Sequence, residues 1–491
     1  MAEGRKENEN VVMLPFMGQG HLIPFLALAF QIQQTRGYTV TIVNTPLNIK
    51  KLRSSLPTNT TNTTTIRFIE LPFCSADHGL PPDSENTDVL PYHLIIRLME
   101  ATLSLKPSFK RLISDITHQQ HGYPPLCIIA DMFFGWTIDI ANEFGVFHAV
   151  FNTGSAYGMA IFNSLWLHLP HSKTNSDEFS LLDFPQVSRI HRSQLSNYLK
   201  IADGNDSWSI FLHRVLPQWL NSDGVLVNTV EDLDRTGLHY FRSKSGRPVW
   251  PIGPIVSSMT RARPSKEACL EWLDVHPPAS VIYISFGSQN TVSASQIMEL
   301  AMALEGSNKN FIWVVRPPLG FDVNSEFRAV EWLPEGFEDR LSKCKRGLLV
   351  RKWAPQLEIL SHKSTGAFLS HCGWNSVLES LSHGVPIIAW PIAGEQFYNA
   401  KLLEEEMGVC VEVARGSGCE VRHVEIASVI DMVMDENGKG RDIRRKACEV
   451  KEMIKDAIRD DDEGYKGSSV KAMDEFFNAA LSMRKTKEET K

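Results

Sequence analysis

Short apolar runs alternate with helix-length amphipathic segments along nearly the whole chain. In the first half the runs VVMLPF (11–16), TVTIVNT (39–45), IRFIELP (66–72), LCIIAD (126–131), HAVFNT (148–153) and GVLVNT (224–229) read as strands. In the second half VIYISFGS (281–288), FIWVVR (311–316), LLVRKW (348–353), GAFLS (366–370), PIIAW (386–390) and VCVEV (409–413) read the same way. Strands separated by helical patterns predict an α/β fold with parallel sheets. Their Val/Ile-rich, largely continuous apolar character predicts sheets covered on both faces. Two such sets predict two doubly wound, Rossmann-like domains facing a cleft. The expected division is 1–252 for the first, a Pro/Ser/Arg-rich linker at 253–268, and 269–460 for the second. A last segment, 461–491, is expected to form a helix returning to the first domain, with a frayed tail.

Composition narrows the functional classes. A chain of 491 residues with 43% hydrophobic and 22% charged residues is an ordinary globular protein of two or three domains. A net charge of −7 gives no reason to expect nucleic acid or an anionic membrane surface as partner. No apolar run reaches the roughly 18 residues of a membrane span. The eight cysteines are scattered without a CxxC pair, which reads as reduced thiols and, with the polar N-terminus, as a cytoplasmic protein.

The most informative stretch is WAPQLEILSHKSTGAFLSHCGWNSVLES (353–380). A strand, GAFLS, breaks at once into a helix ending near Gly384, with Pro386 entering the next strand. His371 to Ser376 therefore occupy a strand-to-helix turn. The unpaired N–H groups and dipole of a helix N-terminus favour an anion. Gly373 allows close approach of phosphate oxygens, and His371, Asn375 and Ser376 can add hydrogen bonds. Glu379 shares a helix face with Asn375 and Ser376 and can accept two ribose hydroxyls. Trp353 offers a flat face to a base. Each residue alone also fits a packing role, but at these offsets they read together as a nucleotide site. No GxxxxGK[ST] is present, so it is not an ATPase-type loop.

Two residues at the carboxyl edge of the first sheet could carry acid–base chemistry. His21, in GQGHLIP (18–24), follows the first strand, and Asp131 ends LCIIAD. Alone, the first fits a helix N-terminal residue and the second a turn former. Together, an imidazole whose tautomer is fixed by a carboxylate can take a proton from a hydroxyl. GQGHLIP is not GxGxxG, so a nicotinamide site is poorly supported. Asp-x-Asp occurs at Asp232/Asp234 and Asp460/Asp462; both read as solvated charges, and no metal is expected. Loops after the first-half strands carry Phe16, Met17, Phe133, Phe134, Trp136, Phe151 and Tyr157, an apolar wall suited to a flat hydrophobic ligand.

Trp353 to Gln396, with WAPQ, HCGWNS, Glu379 and a closing Glu395–Gln396, resembles the 44-residue signature box of plant UDP-sugar-dependent glycosyltransferases. GHLIP, SFGS and the overall length fit too, so the resemblance covers essentially the whole chain. It implies a GT-B architecture with the nucleotide sugar in the C-terminal domain. Trp353 is then expected to stack on uracil, with Ala354 and Gln356 at its edge. His371, Gly373, Asn375, Ser376 and Ser288 are expected at the diphosphate, and Glu379 at the ribose. Trp374, Glu395 and Gln396 fall to the sugar hydroxyls. The commoner closing pair is Asp-Gln; Glu395 keeps the carboxylate with one more methylene, and Gln396 resembles the glucose users. His21 and Asp131 become the catalytic pair of an inverting transfer to a small plant metabolite, a phenolic or flavonoid first. A monomer with UDP-glucose as co-substrate and no further cofactor is expected. A non-catalytic UDP-sugar or metabolite-binding protein of the same fold and a nicotinamide oxidoreductase are the alternatives.

Overall fold

A computed structural model describes the chain except residues 1–8, 55, 57–65, 257–264, 290, 323–324, 352 and 490–491. The first lobe is built on strands β1 (Asn10–Leu14), β2 (Thr39–Asn44), β3 (Ile66–Glu70), β4 (Cys127–Asp131), β5 (Phe147–Asn152), β6 (Gly224–Val227) and β7 (Val249–Pro251). They form one seven-stranded sheet in the order β3-β2-β1-β4-β5-β6-β7, parallel throughout. The second lobe holds β8 (Val281–Ser285), β9 (Asn310–Val314), β10 (Gly347–Val350), β11 (Thr365–Ser370), β12 (Ile387–Ala389) and β13 (Cys410–Glu412). These give a six-stranded parallel sheet in the order β10-β9-β8-β11-β12-β13. β1, β4, β8 and β11 are buried along their whole length, as the unbroken apolar runs predict.

The helices that shape the cavity are α1 (Gln19–Arg36), α2 (Ile95–Ala101), α3 (Ala156–His168), α4 (Ser207–Val215), α5 (Trp374–Ser382) and α6 (Gln396–Lys401). The C-terminal helix α7 (Ser468–Glu489) lies on the first sheet. Its Phe476 ring sits 5.4 Å from Trp250 and 6.0 Å from Phe147, and Phe477 lies 5.2 Å from Tyr38. The tail expected to fray is helical through Glu489.

One apolar cluster runs without a break from first-lobe residues such as Leu14 and Trp166 to second-lobe residues such as Trp374 and Phe397. The two sheets are therefore joined through packed side chains as well as through the chain. Most of the expected linker, 257–264, lies outside the described residues. Its last part, from Ser265, already belongs to the helix Ser265–Asp274. The strand β7, which the pattern does not predict, adds VWP to the sheet edge, where a closing proline forfeits no ladder bond to an outer neighbour.

Candidate active site

In each sheet the strand order reverses once, between β1 and β4 and between β8 and β11. Helices leave such neighbours on opposite faces, and a crevice opens beyond their carboxyl ends. A cavity of about 1320 Å³ lies between the two reversal points and is lined from both lobes.

At the first reversal point, β1 runs into α1 and β4 ends at Asp131. Gly18 precedes the helix, and a side chain there would press on the Thr87 hydroxyl at 2.9 Å. His21 Nδ1 lies 2.6 Å from Asp131 Oδ2, and Asp131 Oδ1 accepts the Phe133 amide at 3.2 Å. Asp131 is almost wholly buried, while about a quarter (27%) of the His21 side chain faces the cavity. Burial works against charging this imidazole. The field and hydrogen bond of Asp131, with a smaller contribution from Glu395, outweigh it and raise His21 above 6.5. With Nδ1 committed to the carboxylate, Nε2 is the nitrogen left to accept a proton. Phe16 and Phe133 flank the ring at 5.3 and 5.9 Å.

At the second reversal point, β11 delivers His371 and α5 starts at Trp374 with Gly373 as its cap. Cys372 takes a left-handed conformation (φ 62°) to make the turn. Burial holds its thiol far above the usual range, so it is no nucleophile. The His371 ring is wedged between two glycines. A Cβ on Gly287 or Gly373 would come within 2.6 or 2.5 Å of its Nε2. Burial, followed by the field of Arg316, lowers His371 to about 4 despite a backbone hydrogen bond, so it meets a ligand as a neutral donor. Its Nδ1 is buried without a partner among the described residues.

The remaining nucleotide-site residues lie around this turn. Trp353 is half exposed in the cavity wall, and the Arg316 guanidinium carbon sits 5.2 Å over its ring. Arg316 also donates to the Ser288 carbonyl at 2.6 Å. Gln356 donates to Ser376 Oγ at 2.9 Å and Glu379 Oε2 at 2.7 Å, and accepts from the Tyr283 hydroxyl at 3.2 Å. Ala354, Ser288, Gly373 and Asn375 complete the wall. Arg316 escaped the sequence reading, although its place just past a β-strand's carboxyl end was a usable signal.

Glu395 and Gln396 open α6 on the same cavity. Gln396 Oε1 accepts the Ile392 and Ala393 amides, each at 3.0 Å, which leaves its NH₂ for a ligand oxygen. Burial raises the Glu395 carboxyl above 4.5, against a backbone hydrogen bond and the pull of His21. Trp374 also lines the cavity, with its indole N–H already engaged. Its indole N–H donates to the Asn228 carbonyl at 2.6 Å, so it ties the lobes together and is not free for a sugar hydroxyl. Asn399 adds a second tie, accepting from Ser155 Oγ at 2.6 Å and donating to the Cys372 carbonyl at 3.0 Å.

Of the aromatic residues expected at the hydrophobic wall, Phe16, Phe133 and Phe151 line the cavity. Met17, Phe134, Trp136 and Tyr157 do not; they are 0 to 5% exposed and belong to the first-lobe core. Phe134 and Trp136, for instance, pack edge-to-face at 5.8 Å. A turn that places one aromatic at the crevice sends its neighbours backwards into the sheet–helix interface. The wall is instead completed by Tyr92, by Ile95 and Met99 of α2, by Met159 and Phe162 of α3, and by Trp208 of α4. Asp234, expected to be solvated, is fully buried and accepts the Ala156 and Tyr157 amides at 2.6 and 2.8 Å, capping α3. Among the described residues no group of three or more His, Cys, Asp and Glu side chains gathers as a metal site. No helix among them is long and apolar enough to cross a membrane.

Two family models match the chain. "UDP-glucoronosyl and UDP-glucosyl transferase" covers residues 239–438, and "Glycosyltransferase, N-terminal domain" covers 7–257. The chain is 49% identical to Arabidopsis thaliana UDP-glycosyltransferase 92A1 over 98% of its length and 99% of the relative's. It is 44% identical to Crocus sativus crocetin glucosyltransferase 3 over 88% and 92%. The fold superimposes on a Glycyrrhiza uralensis glycosyltransferase complexed with glycyrrhetinic acid 3-O-monoglucuronide with a TM-score of 0.82, at 29% identity and 98% coverage of both chains. It superimposes on a Medicago truncatula enzyme complexed with UDP-glucose with a TM-score of 0.76, at 25% identity over 98% of this chain and all of the other. The chain belongs to the UDP-glycosyltransferase family. It has the GT-B architecture and is a transferase that uses a UDP-sugar as co-substrate.

Proposed function

We propose that the enzyme transfers glucose from UDP-glucose to a hydroxyl of a small hydrophobic plant metabolite, a phenolic or flavonoid in the first instance, with inversion at the anomeric carbon. The observation that carries this reading is the 2.6 Å His21–Asp131 pair at one reversal point, across the cavity from the helix N-terminus at the other. In the proposed step Nε2 of neutral His21 takes the acceptor's hydroxyl proton as its oxygen attacks the anomeric carbon. The bond from that carbon to the UDP oxygen breaks, and UDP departs with the electron pair. Asp131 stabilises the imidazolium, a contribution typically about 10²–10⁴-fold for the base as a whole. The N-terminal amides of α5, with His371, Asn375 and Ser376, stabilise the charge gathering on the diphosphate. Trp353 receives the uracil face and Glu379 the ribose hydroxyls. Glu395 and the free amide of Gln396 receive the sugar.

Glucose as the sugar is supported by Gln396 and by the names of several relatives. These include a Fragaria ananassa UDP-glucose flavonoid 3-O-glucosyltransferase and a Nicotiana tabacum scopoletin glucosyltransferase, each 34% identical. An aromatic wall of Phe16, Phe133, Tyr92, Phe162 and Trp208 supports a flat apolar acceptor. The test is a mass-spectrometric screen of phenolic and terpenoid acceptors with UDP-glucose, UDP-galactose and UDP-glucuronate, with and without chelator. Product with UDP-glucose and a phenolic, insensitive to chelator, is expected. Product only with another donor sinks the sugar assignment. A product that retains the donor's anomeric configuration sinks the mechanism.

A further inference from the structure

Pro24 lies inside α1, six residues into the helix that carries His21. At that depth a residue normally donates its N–H to the carbonyl four positions earlier, which is Gly20. Proline has no N–H, and its ring crowds that carbonyl and tilts it away from the axis. The Gly20 carbonyl is thereby left without its intrahelical partner. It does not stay unpaired: Asn375 Nδ2, on the first turn of α5 in the other lobe, donates to it at 3.2 Å. The contact joins the first turn of the helix bearing His21 to the first turn of the helix placed at the diphosphate. Gly20 has no side chain, and even an added Cβ would meet nothing within 4 Å, so the approach is open.

We propose that Pro24 is a positioning residue for the transfer reaction: by withholding a helix hydrogen bond it reserves the Gly20 carbonyl as the docking point for Asn375, and so sets the distance between His21 and the sugar donor. The inference rests on the reading of His21 as base and of the 371–376 turn as diphosphate site. It explains why a helix this close to the chemistry tolerates a residue that weakens helices, in a buried position where alanine or leucine would pack.

The test uses P24A and, to keep the ring's bulk, P24V. Either residue restores an N–H that claims the Gly20 carbonyl within α1. The melting temperature is expected to stay level or rise, and UDP affinity by calorimetry to stay within threefold. kcat is expected to fall at least fivefold. In an N375A background the same substitution is expected to change kcat by less than twofold, because its partner is already gone. Unchanged kcat in both variants overturns the proposal. So does a kcat loss that tracks a fall in melting temperature, or one that persists in full in the N375A background. H21A separates the two levels of the argument. If H21A transfers sugar normally, the reading of the site fails; if H21A is inactive and both Pro24 variants match the wild type, only this inference fails.

Discussion

The two walls of the cavity are built in opposite ways. The donor wall takes most of its polar residues from one continuous segment, Trp353 to Gln396, and the rest from residues along and just past β8, β9 and β10, Ser288 and Arg316 among them. The acceptor wall is collected from residues as far apart as Phe16, Ile95, Phe133, Phe162 and Trp208, on loops and helices that follow different strands. A nucleotide diphosphate asks for a helix N-terminus, a flat ring and a carboxylate one helical turn below, and a strand–helix unit with its flanking turns supplies these at fixed spacing. A hydrophobic acceptor asks only for apolar area, which any exposed part of the lobe can provide. The difference teaches that one wall depends on spacing within a short stretch of chain and the other on apolar area gathered from across the lobe. Substitutions should divide accordingly.

The largest expected effect belongs to neither wall but to the pair facing both. H21A should lower kcat by about 10²–10⁴-fold, the usual worth of a general base, and leave UDP affinity within twofold. Equal losses in kcat and in UDP binding would show that His21 holds the donor and does not move a proton. On the donor wall, W353A should weaken UDP about 5- to 150-fold, given roughly 1–3 kcal/mol for stacking on one base. Inorganic pyrophosphate, which has no base, should bind the variant as it binds the wild type. A parallel loss for pyrophosphate would mean that Trp353 shapes the turn and does not read the base.

An acid limb in the rate profile should separate the catalytic pair from His371. The base must be neutral to act, and Asp131 raises the pKa of His21 against the effect of burial. The rate should therefore fall about tenfold per pH unit below a midpoint lying above 6.5. D131N removes both the field and the strong acceptor. Burial then dominates, and the midpoint should move below 6.5 while kcat drops. His371, already lowered to about 4, stays neutral across this range and contributes no such limb. A midpoint that does not move in D131N would detach the carboxylate from the imidazole.

The same contrast decides what could be read from the chain alone. Twelve of the strands are legible as short, Val/Ile-rich runs bounded by turn residues; central ones such as β1, β4, β8 and β11 are buried on both faces, while the edge strands β3 and β10 are only half-covered. The core of the donor site was legible because His371 to Glu379 lie on one turn and one helix face, where spacing converts into distance. Spacing puts Trp374 at the cavity but does not say what its N–H finds, here the Asn228 carbonyl across the lobe boundary. Asp234 misled because EDLD looks like a solvated turn, while its last carboxylate caps a helix from a distant part of the chain. Burial raises that carboxyl to about 7 even though the Tyr157 and Ala156 amides pull the other way. The acceptor wall was only partly legible. Within MFFGW, the backbone between residues 132 and 136 turns in a single 3₁₀ step, so Phe133 meets the cavity while Phe134 and Trp136 point into the core.

That local division supplies the smallest effect and the sharpest contrast. F162A removes a whole ring at the edge of the cavity, where Phe162 is only partly buried and leans on Trp166 at 6.2 Å. The acceptor KM should rise about three- to tenfold, the equivalent of roughly 1 kcal/mol of lost apolar contact at a partly exposed site. UDP affinity and melting temperature should hardly change. F134A removes a ring that is 0% exposed and packed against both Phe16 and Trp136. It should cost about 3–5 kcal/mol of stability and lower the melting temperature by several degrees. Any effect on acceptor KM should follow indirectly, through the packing behind Phe16. If F134A shifted acceptor preference at unchanged stability while F162A did nothing, the assignment of cavity and core in this lobe would be reversed. The acceptor would then lie deeper than the wall that Phe133, Phe162 and Trp208 define.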